Sequence, residues 1–511
     1  MQTRKDKPLC HSHTITLLPS GKCGKAVHGT ILADALLDMG IGLETPCGGR
    51  GTCRRCRVAV EGEKDPVLTC RERVTRDMTV HAEPSRAGLE VPATGVDPES
   101  TFALAVDIGT TTVRMSLVDI RKRSRFGIAS FLNPQRRYGH DVISRIAAGP
   151  SARAAMTELI RKAVDVRLAD TLRIIGLPGD RVERIVFSGN TVMLYLLFGL
   201  DAEPLGRFPY HAEVRDFTKM TSSDIGLTSL PSAEVRALPV LSAFIGADLV
   251  GGLALSREQG IAESAFFIDL GTNGEIFVTG RSGGIFSGSC AMGTALEGMN
   301  ISWGMTAGTG AVTHVSEHAG RLHYDMIGQG EPSGMTGTAL IDLLAILLDR
   351  GAVSSRGVLA RNDEGYPSQS DTSWTAEGMR LWGEVCLTQK DIRSVQLAKA
   401  ASLSASRFLL EAAGMDLEEV EHVLIAGAFG EHLDLNSFER LGFIPAFPNA
   451  RKEFLGNTSL QAAERVCFDP DFLERAAILR DKTREVVLSA LPGFQDAFIG
   501  SLDFPEARRT P

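Results

Sequence analysis

The sequence contains no GxxxxGK followed by Ser or Thr, and no GxGxxG after a strand-like run. The two commonest sequence signatures of nucleotide binding are therefore missing. No uninterrupted apolar run reaches the ~18 residues that span a bilayer. The longest candidate span, "ALIDLLAILL" (339–348), is short and interrupted by Asp342, so it is expected to be a buried helix. Aromatic residues make up only 6% of the chain, and its nine cysteines are an odd number that does not suit a disulfide framework. The opening "MQTRKDKPLCHSHTITLLPSG" has no apolar core and no cleavage site, so a signal peptide is not expected. These absences point to a cytoplasmic chain with reduced thiols. A formal net charge of -8 leaves no basic footprint for nucleic acid and no attraction to an anionic membrane.

A chain of 511 residues, 43% hydrophobic and 23% charged, is expected to fold into several soluble domains. Near its start, "TPCGGRGTCRRCRV" and "VLTC" place Cys47, Cys53, Cys56 and Cys70 in the spacing Cys-x5-Cys-x2-Cys-x13-Cys. Structural zinc sites usually bring two Cys-x2-Cys pairs. One triplet and one distant single is closer to the plant-type spacing for a [2Fe–2S] cluster, and a zinc knuckle is the alternative. Gly48, Gly49 and Gly51 would let the backbone wrap a cluster closely. "TILADALLDMG" (30–40) carries Ile31, Leu32, Ala35, Leu36 and Met39 on one helical face, and "RCRVAVEG" and "DMTVHAE" alternate like strands. A small sheet with one helix fits residues 13–85, after a tail over 1–12. The remaining cysteines are scattered, and Cys290, Cys386 and Cys467 are expected to be buried thiols.

After a Pro/Gly-rich linker (86–100), "FALAVDIGTTTVRMSLVDI" (102–120) reads as a hairpin with Asp107 at its lip and Gly109, Thr110, Thr111 and Thr112 in and after its turn. The pattern returns as "AFFIDLGTNGEIFVTG" (265–280), with Asp269, Gly271, Thr272, Asn273 and Glu275. Glycine lets backbone N–H groups face a phosphate, threonine hydroxyls add donors, and an aspartate can hold Mg²⁺ through water. "RIVFSGNTVM" (184–193) and "HVLIAGAFGEHLD" (422–434) each read as a buried strand ending in glycine, one after each loop. Two loops facing each other would grip a nucleotide from both sides. "ERAAILRDKTREVV" reads as a charged amphipathic helix with a solvated face.

These motifs carry two resemblances. Residues 13–85 look like a β-grasp [2Fe–2S] ferredoxin domain with Cys47, Cys53, Cys56 and Cys70 as ligands. Residues 101–500 are similar to the acetate and sugar kinase/Hsp70/actin superfamily, whose two ribonuclease-H-like lobes hold ATP in a cleft. The expected fold is thus α+β followed by α/β, with lobes over 101–262 and 263–511. The superfamily likeness implies that Gly427, Ala428, Phe429 and Gly430 line the adenosine and that Asp107 and Asp269 are catalytic. The pairing resembles the reductive activators of corrinoid proteins. "NPQRRYGHDVISRI" (133–146), "DLGTNGEI" (269–276), "LTQKDIRSVQLAKAA" (387–401), "IAGAFGEHLD" (425–434) and "FQDAFIGSLDFP" (494–505) carry that likeness. It implies an anaerobic, ATP-dependent oxidoreductase that returns cob(II)amide to cob(I)amide for methyl transfer. The implied cofactors are a [2Fe–2S] cluster, ATP and Mg²⁺. The implied partners are a corrinoid protein and an upstream low-potential electron donor, with pairing of two copies left open. A small-molecule kinase, an activator of another low-potential enzyme and an ATP-gated scaffold are the alternatives.

Several departures stand out. Thirteen residues between Cys56 and Cys70 are short for such a domain, and Arg54 stands where glycine is usual. Thr336 replaces a family cysteine in "GMTGTALIDLL" (334–344), and only about 15 residues separate the two parts, so a middle region is expected to be missing. Asp248, Glu275, Gly293 and Glu297 are further cleft candidates, and Trp303 is read as a packing residue. Arg50, Arg54, Arg55 and Arg57 surround the cysteines and suit docking of an acidic partner. Changing Arg54 and Arg55 to Gln should slow electron transfer at low salt. Stopped-flow rates that are unchanged or faster would refute a docking role.

Overall fold

The computed structural model describes residues 11–39, 41, 43, 51, 54, 56–82, 97, 99–139, 141–230, 232–293, 295–298, 301–360, 373–375, 377–427 and 433–506. The first body comprises β1 (Ser12–Leu18), β2 (Cys23–Val27), α1 (Leu32–Asp38), β3 (Arg57–Val60), β4 (Val67–Leu68) and β5 (Met78–His81). Its strands lie in the order β2-β1-β5-β3-β4. The sheet is antiparallel except where β1 runs parallel to β5. Leu32, Ala35, Leu36 and Met39 are buried as the helical spacing predicts, against Ile15, Leu17, Val58 and Val80. Arg54 takes φ +55, a left-handed conformation that glycine adopts at no cost. Cys47 and Cys53, with most of the 1–12 tail and the 86–100 linker, lie outside the described residues.

The first lobe holds β6 (Phe102–Ile108), β7 (Thr112–Asp119), β8 (Ser124–Leu132), α2 (Val142–Ala147), α3 (Pro150–Ile175), β9 (Val182–Gly189), α4 (Thr191–Phe198), β10 (Met220–Thr221), β11 (Glu234–Ala237) and α5 (Ala247–Glu258). The second begins with β12 (Ala265–Leu270), β13 (Gly274–Thr279), β14 (Ile285–Cys290), β15 (Ala311–His318), β16 (Arg321–Met326), β17 (Gly334–Met335) and α6 (Gly337–Asp349). It continues with β18 (Ser373–Trp374), β19 (Met379–Trp382), β20 (Val385–Leu387), α7 (Gln389–Ala413), β21 (His422–Ala426), α8 (Leu435–Leu441) and β22 (Arg451–Gly456). The chain closes with α9 (Thr458–Phe468), α10 (Phe472–Lys482), β23 (Thr483–Glu485) and α11 (Phe494–Gly500).

The two large sheets repeat one design, β10-β11-β9-β6-β7-β8 and β22-β21-β12-β13-β14-β23. In each, an antiparallel meander carries the Asp-x-Gly-Thr turn, and the strand ending in glycine joins its first strand in parallel. The repeat extends to atoms. Gly189 has φ +140, and a Cβ there would sit 2.7 Å from the Ile108 carbonyl oxygen. Gly427 has φ +109, and its Cβ would sit 2.4 Å from that of Leu270. Glycine at both places lets the crossing strand press onto the root of a turn.

The core does not divide cleanly at residue 262. Leu460, Ala462, Val466 and Phe472 of α9 and α10 pack into the first lobe's core, although they follow the second lobe in sequence. Conversely, Ile245 and α5 residues Leu249 and Leu253 pack against Phe267, Phe277 and Leu424 of the second sheet. Gly251 and Gly252 make this crossing close, since a Cβ would meet Ala462 at 2.6 Å or Phe267 at 2.5 Å. The "ERAAILRDKTREVV" segment is not one helix: α10 ends at Lys482, and Thr483–Glu485 pairs with β14 at the sheet edge. Residues 339–348 lie inside α6, and Cys290, Cys386 and Cys467 are buried as expected. Gly189→Ala should destabilise the protein by ~2 kcal/mol or more, because it combines a disfavoured φ with a backbone clash. Urea unfolding checks this, and an unchanged midpoint would refute the close approach.

Candidate functional site

Both Asp-x-Gly-Thr turns open onto one cleft of about 230 Å³, lined from the first lobe by Asp107 and Gly109–Thr112 and from the second by Asp269 and Gly271–Asn273. The turns are placed by strand register. Asp107 pairs with Arg114 and Ile108 with Val113, leaving 109–112 between the last pair, while Asp269 pairs with Glu275 and Leu270 with Gly274. Gly427 lines the same cleft. Ala428, Phe429 and Gly430, expected beside it, lie outside the described residues.

Asp107 is buried and anchored. It accepts from Asn457 Nδ2 and from Ser459 Oγ, each at 2.8 Å, and Ser188 Oγ lies 2.9 Å from Ser459. Asn457 is also the N-cap of α9, accepting from the Leu460 N–H at 2.9 Å. The carboxylate thus sits at a helix N-terminus, where the peptide dipoles favour negative charge. Neither Asn457 nor Ser459 is singled out by the sequence reading. "NTSL" shows only a capping signal, and its partner lies 350 positions earlier. Asn190 is the third residue missed: it caps α4 and donates to Thr110 Oγ1 at 2.9 Å.

Asp248, Glu275 and Glu297 all line the cleft with Asp107 and Asp269. Asp248 stands in the first turn of α5, where Gly246 passes so close to Asn190 that a Cβ would lie 2.4 Å from its Cα. Glu275 faces Asp269 across the β12–β13 pair, and Glu297 accepts from Thr272 Oγ1 at 2.6 Å. Trp303 is half-buried against the second core, as a packing residue. Thr336 caps α6 and lines the cleft. Gly293 lies outside the residues that line it.

The carboxylates raise one another's proton affinity. Burial, with Asp107 adding repulsion, pushes Asp248 up to about 6. Burial, then the charges of Asp248 and Asp107, hold Asp269 well above the usual range, and burial with Asp248 and Asp269 does the same to Glu275. Such a cluster holds more negative charge than its neighbours neutralise, which suits a cation. Among the described residues no three of these side chains converge to chelate an ion by themselves. A Mg²⁺ ion that keeps several waters asks for only one or two carboxylates, so the residues fit a hydrated Mg²⁺.

At the other end of the chain, the β3–β4 pair ends at Arg57 opposite Leu68, and the Thr69 N–H and hydroxyl both donate to the Cys56 carbonyl at 3.0 Å. Cys56 and Cys70 therefore stand together at one end of a single short hairpin. This accounts for the thirteen residues between them. Cys56 is buried and Cys70 half-buried. Two cysteines placed at one end of a hairpin fit part of an iron–sulfur ligand set.

Two family models match in succession, the RACo middle region over residues 102–258 and the C-terminal domain of RACo, the ASKHA domain, over 263–511. The chain belongs to the RACo family. This RACo-family chain is 26% identical to the corrinoid activation enzyme RamQ of Eubacterium limosum, across 92% of its own length and 95% of that relative. It is 25% identical to the Co(II) methylated amine-specific corrinoid protein reductase of Methanosarcina barkeri, across 73% of this chain and 71% of that one. A solved structure, the reductive activator for corrinoid, iron-sulfur protein, shares its fold with a TM-score of 0.73 at 23% identity, covering 97% of this chain and 98% of the other. The expected absence of a middle region is overturned. Residues 102–258 match that region, and here it forms the first lobe, carrying one of the two turns.

The acid cluster generates a pH prediction for the nucleotide-free protein. Asp248 has a folded pKa of about 6, above its value of ~3.9 in an unfolded chain. The stability present below pH ~4 is therefore lost as the pH climbs to about 6. Asp248→Asn should remove that loss, stabilising the protein by about 3 kcal/mol at pH 7.5 and by only about 1 kcal/mol at pH 4.5. Thermal unfolding at the two pH values checks it, and a gain independent of pH would contradict the burial of that charge.

Proposed function

We propose that this chain is an ATP-dependent reductive activator of a corrinoid protein, returning cob(II)amide to cob(I)amide for methyl transfer. What carries the reading is its likeness, over most of its length, to two relatives named for corrinoid activation and Co(II) corrinoid protein reduction. The cleft supports the ATP half. Gly109–Thr112 and Gly271–Asn273 would hold phosphates from opposite lobes through backbone N–H groups and hydroxyls. Gly427 would pack against the nucleoside, with Ala428, Phe429 and Gly430 beside it. Asp107 and Asp269 would orient the attacking water and the waters of a Mg²⁺ ion, whose charge offsets that of the phosphates when bound.

The sheet order of the N-terminal body and the cysteine spacing support a β-grasp, ferredoxin-type domain. Cys47, Cys53, Cys56 and Cys70 would hold a [2Fe–2S] cluster, which supplies one-electron chemistry when bound. An upstream low-potential donor and a corrinoid protein are the partners this role requires, and a second copy of the chain is a further candidate. Cob(I)amide is a strong reductant, so the reduction is uphill. Nucleotide can assist only by favouring one lobe arrangement over another. In this reading the nucleotide-bound arrangement grips the corrinoid protein in a reducible form, and hydrolysis releases it.

Anaerobic mixing with ATP, a reductant and a corrinoid protein, followed by the cobalt absorption spectrum, tests the reading. ATP-dependent loss of the cob(II) bands supports it. Phosphoryl transfer to a small molecule without any cobalt change would favour a kinase of the same superfamily. Asp107→Asn should lower ATP-dependent reduction by ~10²-fold or more while leaving the visible spectrum of the N-terminal domain unchanged. Full activity in that variant would remove Asp107 from the chemistry.

A further inference from the structure

The segment "NPQRRYGHDVISRI" (133–146) lies outside the cleft, and the function proposed above assigns it no task. Its hydrogen bonds give it one. The three carbonyls at the tip of the first turn each accept from this segment. Gly109 O accepts from Asn133 Nδ2 at 2.8 Å, Thr110 O from Arg145 Nη2 at 2.5 Å, and Thr111 O from the Asn133 N–H at 2.8 Å. A trans peptide sets each N–H antiparallel to the carbonyl before it. Holding three successive carbonyls from behind therefore turns the N–H groups of Thr110, Thr111 and Thr112 the other way, toward the cleft that all three residues line.

Arg145 is an unusual donor. Its side chain sits on α2 with no exposure to solvent. Among the described residues every hydrogen-bond acceptor it reaches is neutral: Thr110 O, Gly139 O at 3.0 Å, Gln135 Oε1 at 3.4 Å and Met193 Sδ at 3.0 Å. Burial lowers its pKa to about 10, which leaves it charged at neutral pH. A buried guanidinium without a bonded carboxylate is costly unless something offsets it. The acids that act on it, Asp141 and Glu297, do so through space and not through a hydrogen bond. The charge instead points at the peptide joining Thr110 to Thr111. There it polarises the carbonyl and strengthens the N–H on the far side as a donor.

We propose that Arg145 is a positioning residue for polyphosphate binding, acting through the Thr110 carbonyl to aim and strengthen the first turn's anion-binding N–H groups. The proposal rests on the nucleotide reading of the cleft. It specifies that Arg145 serves the phosphates and not the nucleoside, so its loss has a signature that general damage to the cleft lacks.

The test is calorimetric binding of ATP and of adenosine to the full chain, with Arg145→Gln and Arg145→Lys beside the wild type. Loss of a charge-assisted bond should weaken ATP binding by about tenfold or more in Arg145→Gln, with adenosine affinity unchanged. Lysine keeps the charge but cannot reach all four acceptors, so Arg145→Lys should fall between, and ATP hydrolysis should show a raised KM. ATP affinity equal to wild type in either variant, or equal losses for ATP and adenosine, would overturn the proposal. Should Arg145→Gln fail to fold, Arg145→Lys decides by the same comparison. A wild-type chain that binds no nucleotide overturns the cleft reading and this proposal together, whereas wild-type binding with unaltered variants overturns this proposal alone.

Discussion

Asp107 accepts hydrogen bonds from Asn457 and Ser459, residues about 350 positions further along the chain. That contact constrains much of the molecule. It requires α9 to leave the second lobe and lie across the first, which the apolar residues Leu460, Ala462 and Val466 make favourable by burial in the first core. It also sets a negative charge at the N-terminus of α9, where a buried carboxylate costs least. With α5 crossing in the other sense against Phe267 and Phe277, two helices lie between the sheets and bring the turns face to face. Motion between the lobes must therefore shear or hinge about α5 and α9, the elements that hold the acids. Under the proposed function, nucleotide binding would act on lobe arrangement through the same residues.

The cleft is chemically unbalanced without a ligand. Its carboxylates raise one another's proton affinity because water is excluded and charges of one sign face each other. The cationic partner on the first lobe, Arg145, is set behind the turn and not among the acids. Positive charge is thus delivered to phosphates through a peptide, while the acids remain available to a hydrated cation. The N-terminal body is held quite differently. Arg137 meets Asp38 at 3.2 Å, and Lys162 donates to the Asp38 carbonyl at 2.7 Å. Both contacts are exposed, and such pairs contribute under ~1 kcal/mol each. Among the described residues these contacts hold the N-terminal body to the first lobe only weakly.

Much of the site was legible because both turns announce themselves twice. Asp-x-Gly-Thr between apolar strands implies a hairpin tip, and its return about 160 residues later implies a facing pair. The buried α6 and the N-terminal helix also follow from periodicity, whereas the strand order and the hairpin that carries Cys56 and Cys70 do not. The reading failed where a short signal has two meanings. "NTSL" looks the same whether its asparagine merely caps a helix or also holds a carboxylate. "ERAAILRDKTREVV" has helical charge spacing throughout, yet an open sheet edge captures its last part as β23. The middle region does not stand between two other domains: it is the first lobe itself, which spacing alone does not reveal.

By itself the sequence determined the local elements: two Asp-x-Gly-Thr turns, the glycines that follow them, a small cysteine-bearing sheet with one helix, and the family likeness. These depend on residues close together in the chain, where backbone freedom and side-chain period act directly. Tertiary structure alone decided which acids share the cleft, that Asn457, Ser459 and Asn190 serve it, and that residues 133–146 cap the carbonyls of the first turn from behind. Each of those depends on a hydrogen bond or a buried charge between distant segments. Its energy exists only once folding has excluded water from around it.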